Sequence, residues 1–362
     1  MHKRLTFIIK PTDLCNCSCK YCITPYDIPK VKMSIETFTT LCKKLSNNTL
    51  YDDYLFIWHG GEPMLMGVDY YKQALNIEKK YLKSYNNTFQ SNCTLLNDEW
   101  FEFLSANKIR VSTSLDGNQR YHDVNRLKDG KGTFDIVFSN ITKLQELKLL
   151  AGVVTVLSKT NIEHLDEILQ FFAGNKISTR LNPILPSDRV LDSEDDLSIT
   201  PNEYADCLIK CFDNWVNESY SGGDKINIAP FSEIVYNMFH TEKPRLCVYS
   251  GRCYENFIAI NPYGDLYNCG RFCDILQYKI ANINDDFNWH DLFEKKQQLM
   301  QWSRNDETND CMHCEWKHLC NSGCPHSSYI YNGRIIGKDP YCEANKKLFS
   351  HIYTVLKEQL NK

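Results

Sequence analysis

Cysteine is the residue type whose spacing in this chain can do chemistry. Seventeen occur in 362 residues, and most fall between Cys15 and Cys22, between Cys247 and Cys273, and between Cys311 and Cys342. An odd count without an export signal is poor material for disulfides, because thiols in a reducing compartment stay reduced. Metal is the reading the grouping favours. The segment Cys15-Asn16-Cys17-Ser18-Cys19-Lys20-Tyr21-Cys22 contains C-x3-C-x2-C at Cys15, Cys19 and Cys22. A [4Fe–4S] cluster normally takes four cysteines, so three on one tight loop leave one iron open to a non-protein ligand, just as catalytic zinc keeps an open position. A zinc knuckle using all four cysteines is the alternative on this segment alone. A second feature is Trp58-His59-Gly60-Gly61-Glu62-Pro63. Its glycines let backbone approach a ligand closely, and Glu62 supplies an anion that can hold an ammonium group. A plain strand-to-helix turn would explain the same residues.

These motifs must be positioned by the elements around them. Leu5–Ile9 reads as a buried strand with the cysteine loop at its C-terminal end, where parallel-sheet proteins build their sites. Leu55–Trp58 is a second strand ending in the glycine pair. Between them Ser34 caps a helix with Ile35, Phe38, Leu41, Cys42 and Leu45 on one face. Helices are expected near 70–83, 98–107 and 134–147, and another capped by Asn161; strands are expected at 88–92, 110–115, 152–157 and 177–181. Six strands separated by helices mean an α/β parallel sheet, either doubly wound and open or an incomplete barrel. After Pro186 the segment 188–196 is acidic and loop-like, and Thr200-Pro201-Asn202-Glu203 has capping-box spacing. The expected organisation is a barrel-like unit over 1–187, a helical bridge over 188–244 and a cysteine-rich module over 245–362. Hydrophobic residues at 43% allow a sizeable core, and a net charge of −4 argues against nucleic acid as partner. No apolar run has the length of a membrane span, so a cytoplasmic location and no membrane partner are expected.

C-x3-C-x2-C after the first strand, with Tyr21 before its third cysteine, and G-G-E-P after the second strand resemble the signature of the radical SAM superfamily. The resemblance covers nearly the whole chain. It implies a partial (β/α)6 TIM-like barrel, a [4Fe–4S] cluster on Cys15, Cys19 and Cys22, and S-adenosylmethionine (SAM) on the open iron. Gly60, Gly61, Glu62 and Pro63 would then bind its amine, and a 5′-deoxyadenosyl radical would abstract hydrogen from substrate. Ser114 and Arg126 would meet the methionine carboxylate, a role suited to a hydroxyl and a bidentate guanidinium; an N-cap and a surface ion pair are the plainer reading. Asn92 would line the cofactor site, while Cys93 stands where relatives often carry glycine.

The C-terminal cysteines resemble the SPASM domain of such enzymes, which carries two auxiliary [4Fe–4S] clusters, three in total with the first. The family's topology would give Cys247, Cys253, Cys269 and Cys324 to one cluster, and Cys311, Cys314, Cys320 and Cys342 to the other. Zinc is the competing metal, and Cys273 competes with Cys269 as ligand. Cys17, Cys42, Cys93, Cys207, Cys211 and Cys273 read as buried small hydrophobes, and His313, His318 and His326 as local hydrogen-bond partners.

Such relatives mostly modify peptides or proteins. Anaerobic sulfatase-maturating enzymes oxidise Cys or Ser to formylglycine and usually carry an Asp, proposed as the base, after the cysteine matching Cys269; this chain has Gly270. Cys269-Gly270-Arg271-Phe272 looks more like the cyclophane-forming maturases of ribosomal peptides. The expectation is therefore a peptide maturase installing a side-chain crosslink in a precursor peptide, with formylglycine formation as the alternative and a non-catalytic iron–sulfur or zinc scaffold as a further one. A flavodoxin- or ferredoxin-type electron donor is expected. With 14 residues before Cys15, no N-terminal peptide-recognition domain is expected. Substrate contact is placed, by position, around 220–230 and Arg271. Asp116 and Asp265 are candidate bases that turn geometry would also explain.

Overall fold

The structure is a computed structural model that describes residues 3–24, 30–192, 194–217, 226–240, 245–305 and 309–361. Six parallel strands appear in chain order: β1 (Arg4–Ile9), β2 (Asp53–Trp58), β3 (Tyr85–Ser91), β4 (Arg110–Ser114), β5 (Leu150–Leu157) and β6 (Thr179–Pro183). Each lies beside its sequence neighbour, with no reversal of order. A doubly wound sheet reverses direction at a switch point; a sheet wound one way is a partial barrel. That settles the choice which periodicity leaves open.

The crossover helices are α1 (Ile35–Ser46), α2 (Val68–Tyr81), α3 (Asp98–Ala106), α4 (Phe134–Glu146) and α5 (Leu165–Gly174). Ser34 caps α1 by accepting from the Thr37 N–H, and Phe38, Leu41, Cys42 and Leu45 are buried against the sheet. Asn161 departs from expectation. A 3-10 turn over Ile162–His164 precedes α5, and the buried Asn161 side chain accepts from Ser158 N–H and donates to Val156 O instead of capping. The acidic stretch contains a short helix, Asp188–Leu191, rather than loop alone.

The later segments join the same sheet. β7 (Ile228–Ala229) lies parallel to β6, and β8 (Phe257–Ile260) lies parallel to β1 on the opposite side; β9 (Asp265–Tyr267) and β10 (Ala281–Asn282) continue antiparallel from it. Helix α6 (Pro201–Val216) starts with the expected capping box at Thr200 and Glu203. Two further helices are α7 (Trp289–Asn305) and α8 (Cys342–Leu360). One apolar cluster runs from Leu115 and Ile168 through Leu208 to Leu348 and Ile352. Another joins Phe7 and Phe56 to Ile258 and Trp289; Trp289 meets Phe7 edge-on at 6.3 Å. Each fully buried aromatic or leucine contributes about 1.5–3 kcal/mol, so the C-terminal segment is held to the barrel by shared core. Among the described residues no helix is long and apolar enough to cross a membrane.

Candidate functional site

The first cysteine loop is hung on strand ends by backbone bonds. Gly61 N–H donates to Thr12 O at 3.0 Å and Glu62 N–H to Leu14 O at 2.7 Å, which couples the exit of β2 to the run into Cys15. The glycines serve this contact: a Cβ on Gly61 would lie 2.2 Å from Leu14 O, and one on Gly60, at φ +117°, 2.7 Å from Thr12 O. The close approach expected toward a ligand is thus made toward the cysteine loop itself. Further along, Ser18 N–H donates to Leu127 O and Lys20 N–H to Asn125 O. Asn92 braces the same loop from β3, donating through Nδ2 to Asn16 Oδ1 at 2.9 Å. Cys15 is exposed, and Cys19 and Cys22 are half-buried. Burial pushes the Cys19 thiol up to about 11, against the pull of the nearby Arg126 guanidinium.

Glu62 is fully buried. Its carboxylate accepts from Met64 N–H and Ser91 Oγ–H on Oε1 (2.9 Å each) and from Asn92 N–H on Oε2 (2.7 Å). Among the described residues no cationic side chain pairs with it, and burial pushes its carboxyl up to about 7 despite those donors. A buried acid held in place without a counter-charge, beside Cys15, fits an ammonium group brought by a ligand. Pro63 opens the 3-10 turn Pro63–Met66 that Glu62 caps. Cys93 adopts φ 59°, the left-handed conformation that glycine favours, and its N–H is held by Ser91 Oγ.

Tyr21, Asp116 and Arg126 form a buried triad that corrects two expectations, Asp116 as a turn residue or free base and the ion pair as a surface one. Asp116 is neither a turn residue nor a free base: it accepts from Tyr21 Oη, from Arg126 Nε at 2.9 Å and Nη2 at 3.1 Å, and from Val156 N–H. Arg126, expected to meet a ligand carboxylate, spends that fork on Asp116 and lies over the Tyr21 ring. The pair is buried rather than on the surface. Tyr21 therefore anchors the cysteine loop to the end of β4, where Ser114 is half-buried. Asp265 is on β9, paired with Lys279 and Asn282 Nδ2, and is not free to act as a base.

The C-terminal cysteines gather in two groups. Cys269 is close to Cys253, Cys324 and Cys247, whose negative charge adds to burial in pushing its thiol up to about 12. Cys311, Cys314, Cys320 and Cys342 line one small pocket. Cys324 thus lies in space with Cys247, Cys253 and Cys269, and Cys342 with Cys311, Cys314 and Cys320. Cys273 is buried with Lys10, Asp274 and Asp13 around it, so Cys269 is the residue facing the first group. Cys42, Cys93 and Cys211 are buried as expected, whereas Cys17 and Cys207 are half-buried. His326 is buried edge-on against Phe272, and His318 is exposed with Nδ1 near Glu315 O. Among the described residues no three Cys, His, Asp or Glu side chains close on a point the size of a single ion.

Three residues that the motifs do not announce complete the site. Asp339 accepts from Cys324 N–H at 2.7 Å and Tyr341 N–H at 2.8 Å, while its carbonyl accepts from Cys342 N–H. One carboxylate-bearing residue thereby braces both groups; its spacing three residues before Cys342 is the sequence signal. Lys10 bridges Asp13, ahead of the first loop, to Asp274, after Cys273. Lys296 lies fully buried on α7, and its place on the apolar stripe Leu292–Lys296–Met300 could have flagged it. An open cleft of ≈ 820 Å³ lies between β6 and the first C-terminal group, lined by Arg180, Tyr204, Pro230, Cys247, Arg271 and Cys324 among others. The contact region expected around 220–230 lies partly outside the described residues, but Pro230 and Arg271 do line this cleft.

A one-way parallel half-barrel, with three cysteines seated after its first strand and a buried acid after its second, defines an iron–sulfur radical enzyme scaffold. Residues 9–172 match the family model described as the radical SAM superfamily. A cysteine-type anaerobic sulfatase-maturating enzyme of Clostridium novyi is 30% identical over 364 residues, spanning 96% of this chain and 95% of that protein. A serine-type anaerobic sulfatase-maturating enzyme of Bacteroides thetaiotaomicron is 27% identical, over 97% of this chain and 90% of its own. The solved structure of native anSMEcpe with bound AdoMet superposes with a TM-score of 0.86 at 24% identity, covering 99% of both chains. Streptococcus suis SuiB bound to precursor peptide SuiA gives 0.66 at 15% identity, over 94% of this chain and 76% of that one. The chain belongs to the radical SAM enzymes that act on peptide or protein substrates, the family that includes the anaerobic sulfatase-maturating enzymes.

Proposed function

We propose that the chain installs a side-chain crosslink, of the carbon–carbon cyclophane type, in a ribosomally made precursor peptide. Cys15, Cys19 and Cys22 hold the SAM-binding [4Fe–4S] cluster, and Glu62 receives the ammonium of SAM in the cradle built by Gly60, Gly61, Ser91 and Asn92. Cys247, Cys253, Cys269 and Cys324 hold one auxiliary cluster, and Cys311, Cys314, Cys320 and Cys342 the other. When bound, SAM supplies the radical chemistry that removes a hydrogen atom from an unactivated carbon. The chain's own residues position the peptide in the cleft beside Cys247 and Cys324 and keep water from the reacting carbon. A flavodoxin- or ferredoxin-type donor in the cytoplasm supplies the electron.

The observation that carries this reading is the position after Cys269. Gly270 offers no base, a Cβ there would meet Ile8 Cγ2 at 3.0 Å, and the next residue, Arg271, brings a cation to the cleft. Formylglycine formation remains the second reading, favoured by the full-length likeness to a sulfatase-maturating enzyme. Anaerobic co-expression with short open reading frames beside the gene, followed by accurate peptide mass and an aldehyde trap, separates the two. Loss of two hydrogens with no aldehyde and with fragmentation blocked within a short segment is the expected result. An aldehyde on a sulfatase-type peptide would replace the first reading with the second.

A further inference from the structure

The two C-terminal cysteine groups differ in the cations around them. We propose that Arg271 and Lys296 set the reduction potential of the cluster on Cys247, Cys253, Cys269 and Cys324 above that of the cluster on Cys311, Cys314, Cys320 and Cys342. The inference rests on the cysteine assignment proposed above.

Arg271 lines the cleft together with Cys247 and Cys324. A guanidinium stays charged at any working pH, and among the described residues no carboxylate lies within ion-pair distance of it. Asp339, which lines the same cleft, already accepts the Cys324 and Tyr341 amides. Burial works against the Arg271 charge, and Cys324, Cys247 and Cys269 more than offset this. Lys296 approaches from behind. Its ammonium donates to Phe257 O, at the end of the short helix Cys253–Asn256 that begins with a cysteine of this group. It also lies over the Phe293 ring at 4.8 Å. The side chain is fully buried, and among the described residues it too has no carboxylate within ion-pair distance. Burial pulls the Lys296 ammonium down to about 7, with Cys253 and Cys269 acting against it, so its charge near neutral pH calls for an anion beside it; four thiolates around an iron–sulfur core supply that anion.

Among the described residues, the cations beside the other group are more exposed or neutralised. Lys317 and Asp310 line its pocket together, Lys317 being half-buried with its ammonium on Ser322 Oγ; Lys338 and Lys346 have side chains 37% and 34% exposed and both pair with Glu343, at 2.6 Å and 3.3 Å. Solvent and that carboxylate cancel most of their field. Net charge, hydrogen bonding and solvent exposure are what tune an iron–sulfur potential. A fixed positive charge favours the reduced, more negative state, and it does so most in a low-dielectric setting. The more easily reduced cluster is therefore the one lining the cleft.

The test is an EPR-monitored redox titration of the anaerobically reconstituted full chain, with iron and sulfide measured on each sample. In Arg271→Gln one midpoint potential should fall, Lys296→Met should lower the same one, Arg271→Lys should stay near the parent, and the other potentials and the iron content should hold. Cys269→Ala should abolish the signal that shifted. Potentials unmoved at full iron content overturn the inference alone, as does an equal shift in Arg271→Lys, because shape rather than charge would then matter. Iron lost from Arg271→Gln and Lys296→Met alike also overturns it, assigning both residues a structural role. Full iron content in Cys269→Ala overturns the cysteine assignment, and the inference with it.

Discussion

The cysteine loop after β1 and the eight cysteines near the C-terminus are built in opposite ways. The first is local: three thiols within Cys15–Cys22, on a loop fixed by backbone bonds to residues 61, 62, 125 and 127 and by Tyr21 reaching Asp116. The second is assembled from Cys247 through Cys342 across short helices and turns, with Asp339 as a brace between groups. A loop seated by a sheet keeps its shape without metal, whereas a set gathered from distant turns depends on metal for much of its stability. Stripping iron with a chelator should therefore separate the two regions. Hydrogen exchange is expected to stay slow in β1–β4 and to accelerate over 311–342. Equal loss of protection in both regions would break the comparison. This is the largest effect expected, because a whole segment changes its local stability.

Within the local site, the charge on Glu62 is the next handle. Its folded value, about 7, lies above its ordinary 4.5, so the folded protein holds the proton more tightly than the unfolded chain. Stability is then greatest below about pH 4.5 and declines as pH rises toward 7, by about 3 kcal/mol in the iron-free protein. Glu62→Gln should flatten that decline in denaturant titrations run across this window. Glu78 provides the reference, since burial raises it to about 8 with the same sign and its part of the slope should survive. A slope unchanged in Glu62→Gln would show that the cradle does not hold an uncompensated acid.

The same contrast explains what was legible in the sequence. The alternation of strands and helices, the Ser34 and Thr200 caps and the C-x3-C-x2-C loop are local patterns, and local patterns survive translation into structure. The partners of side chains are not local. Arg126 lies ten residues after Asp116, yet their pairing depends on the turn between β4 and the helix Gln119–Asn125, so the buried clamp it forms there is not legible from spacing. The Gly60-Gly61 pair was legible as a close approach, but what it approaches, the carbonyls of Thr12 and Leu14, lies far back in the chain. Cys93 keeps a left-handed φ without being glycine, with its N–H on Ser91 Oγ. Lys296 stands out on the apolar stripe of its helix, but what it meets, Phe257 O at the start of β8, lies 39 residues back in the chain.

Asp339 tests whether the assembled region depends on its brace. Asp339→Asn would turn an amide N–H toward one of two backbone N–H donors, in a space where even a Cβ on Gly323 would clash with the carboxylate. Leaving a buried donor unsatisfied costs about 1–3 kcal/mol. The expected outcome is a loss of that size in chemical denaturation, together with less iron retained by the C-terminal groups and no change in SAM binding at the first loop. Impaired SAM binding would mean that the two regions are energetically one.

The smallest expected effect is the control that gives the others meaning. Thr200 caps α6 through its Oγ, with Glu203 returning the bond, and α6 carries the face on which α8 packs. Lys347 with Asp206, and His351 with Asp213 at 2.6 Å, join the two helices along their exposed edges. Thr200→Ala removes one cap and should cost about 1 kcal/mol. That loss falls on the shared core and on neither cysteine region, so a denaturation midpoint should drop while iron content, midpoint potentials and exchange over 311–342 relative to β1–β4 stay as they were. If so small a change in α6 released iron from Cys342 at the start of α8, the C-terminal groups would be held by helix packing rather than by their braces and their metal, and the contrast with the strand-seated loop would have to be redrawn on that basis.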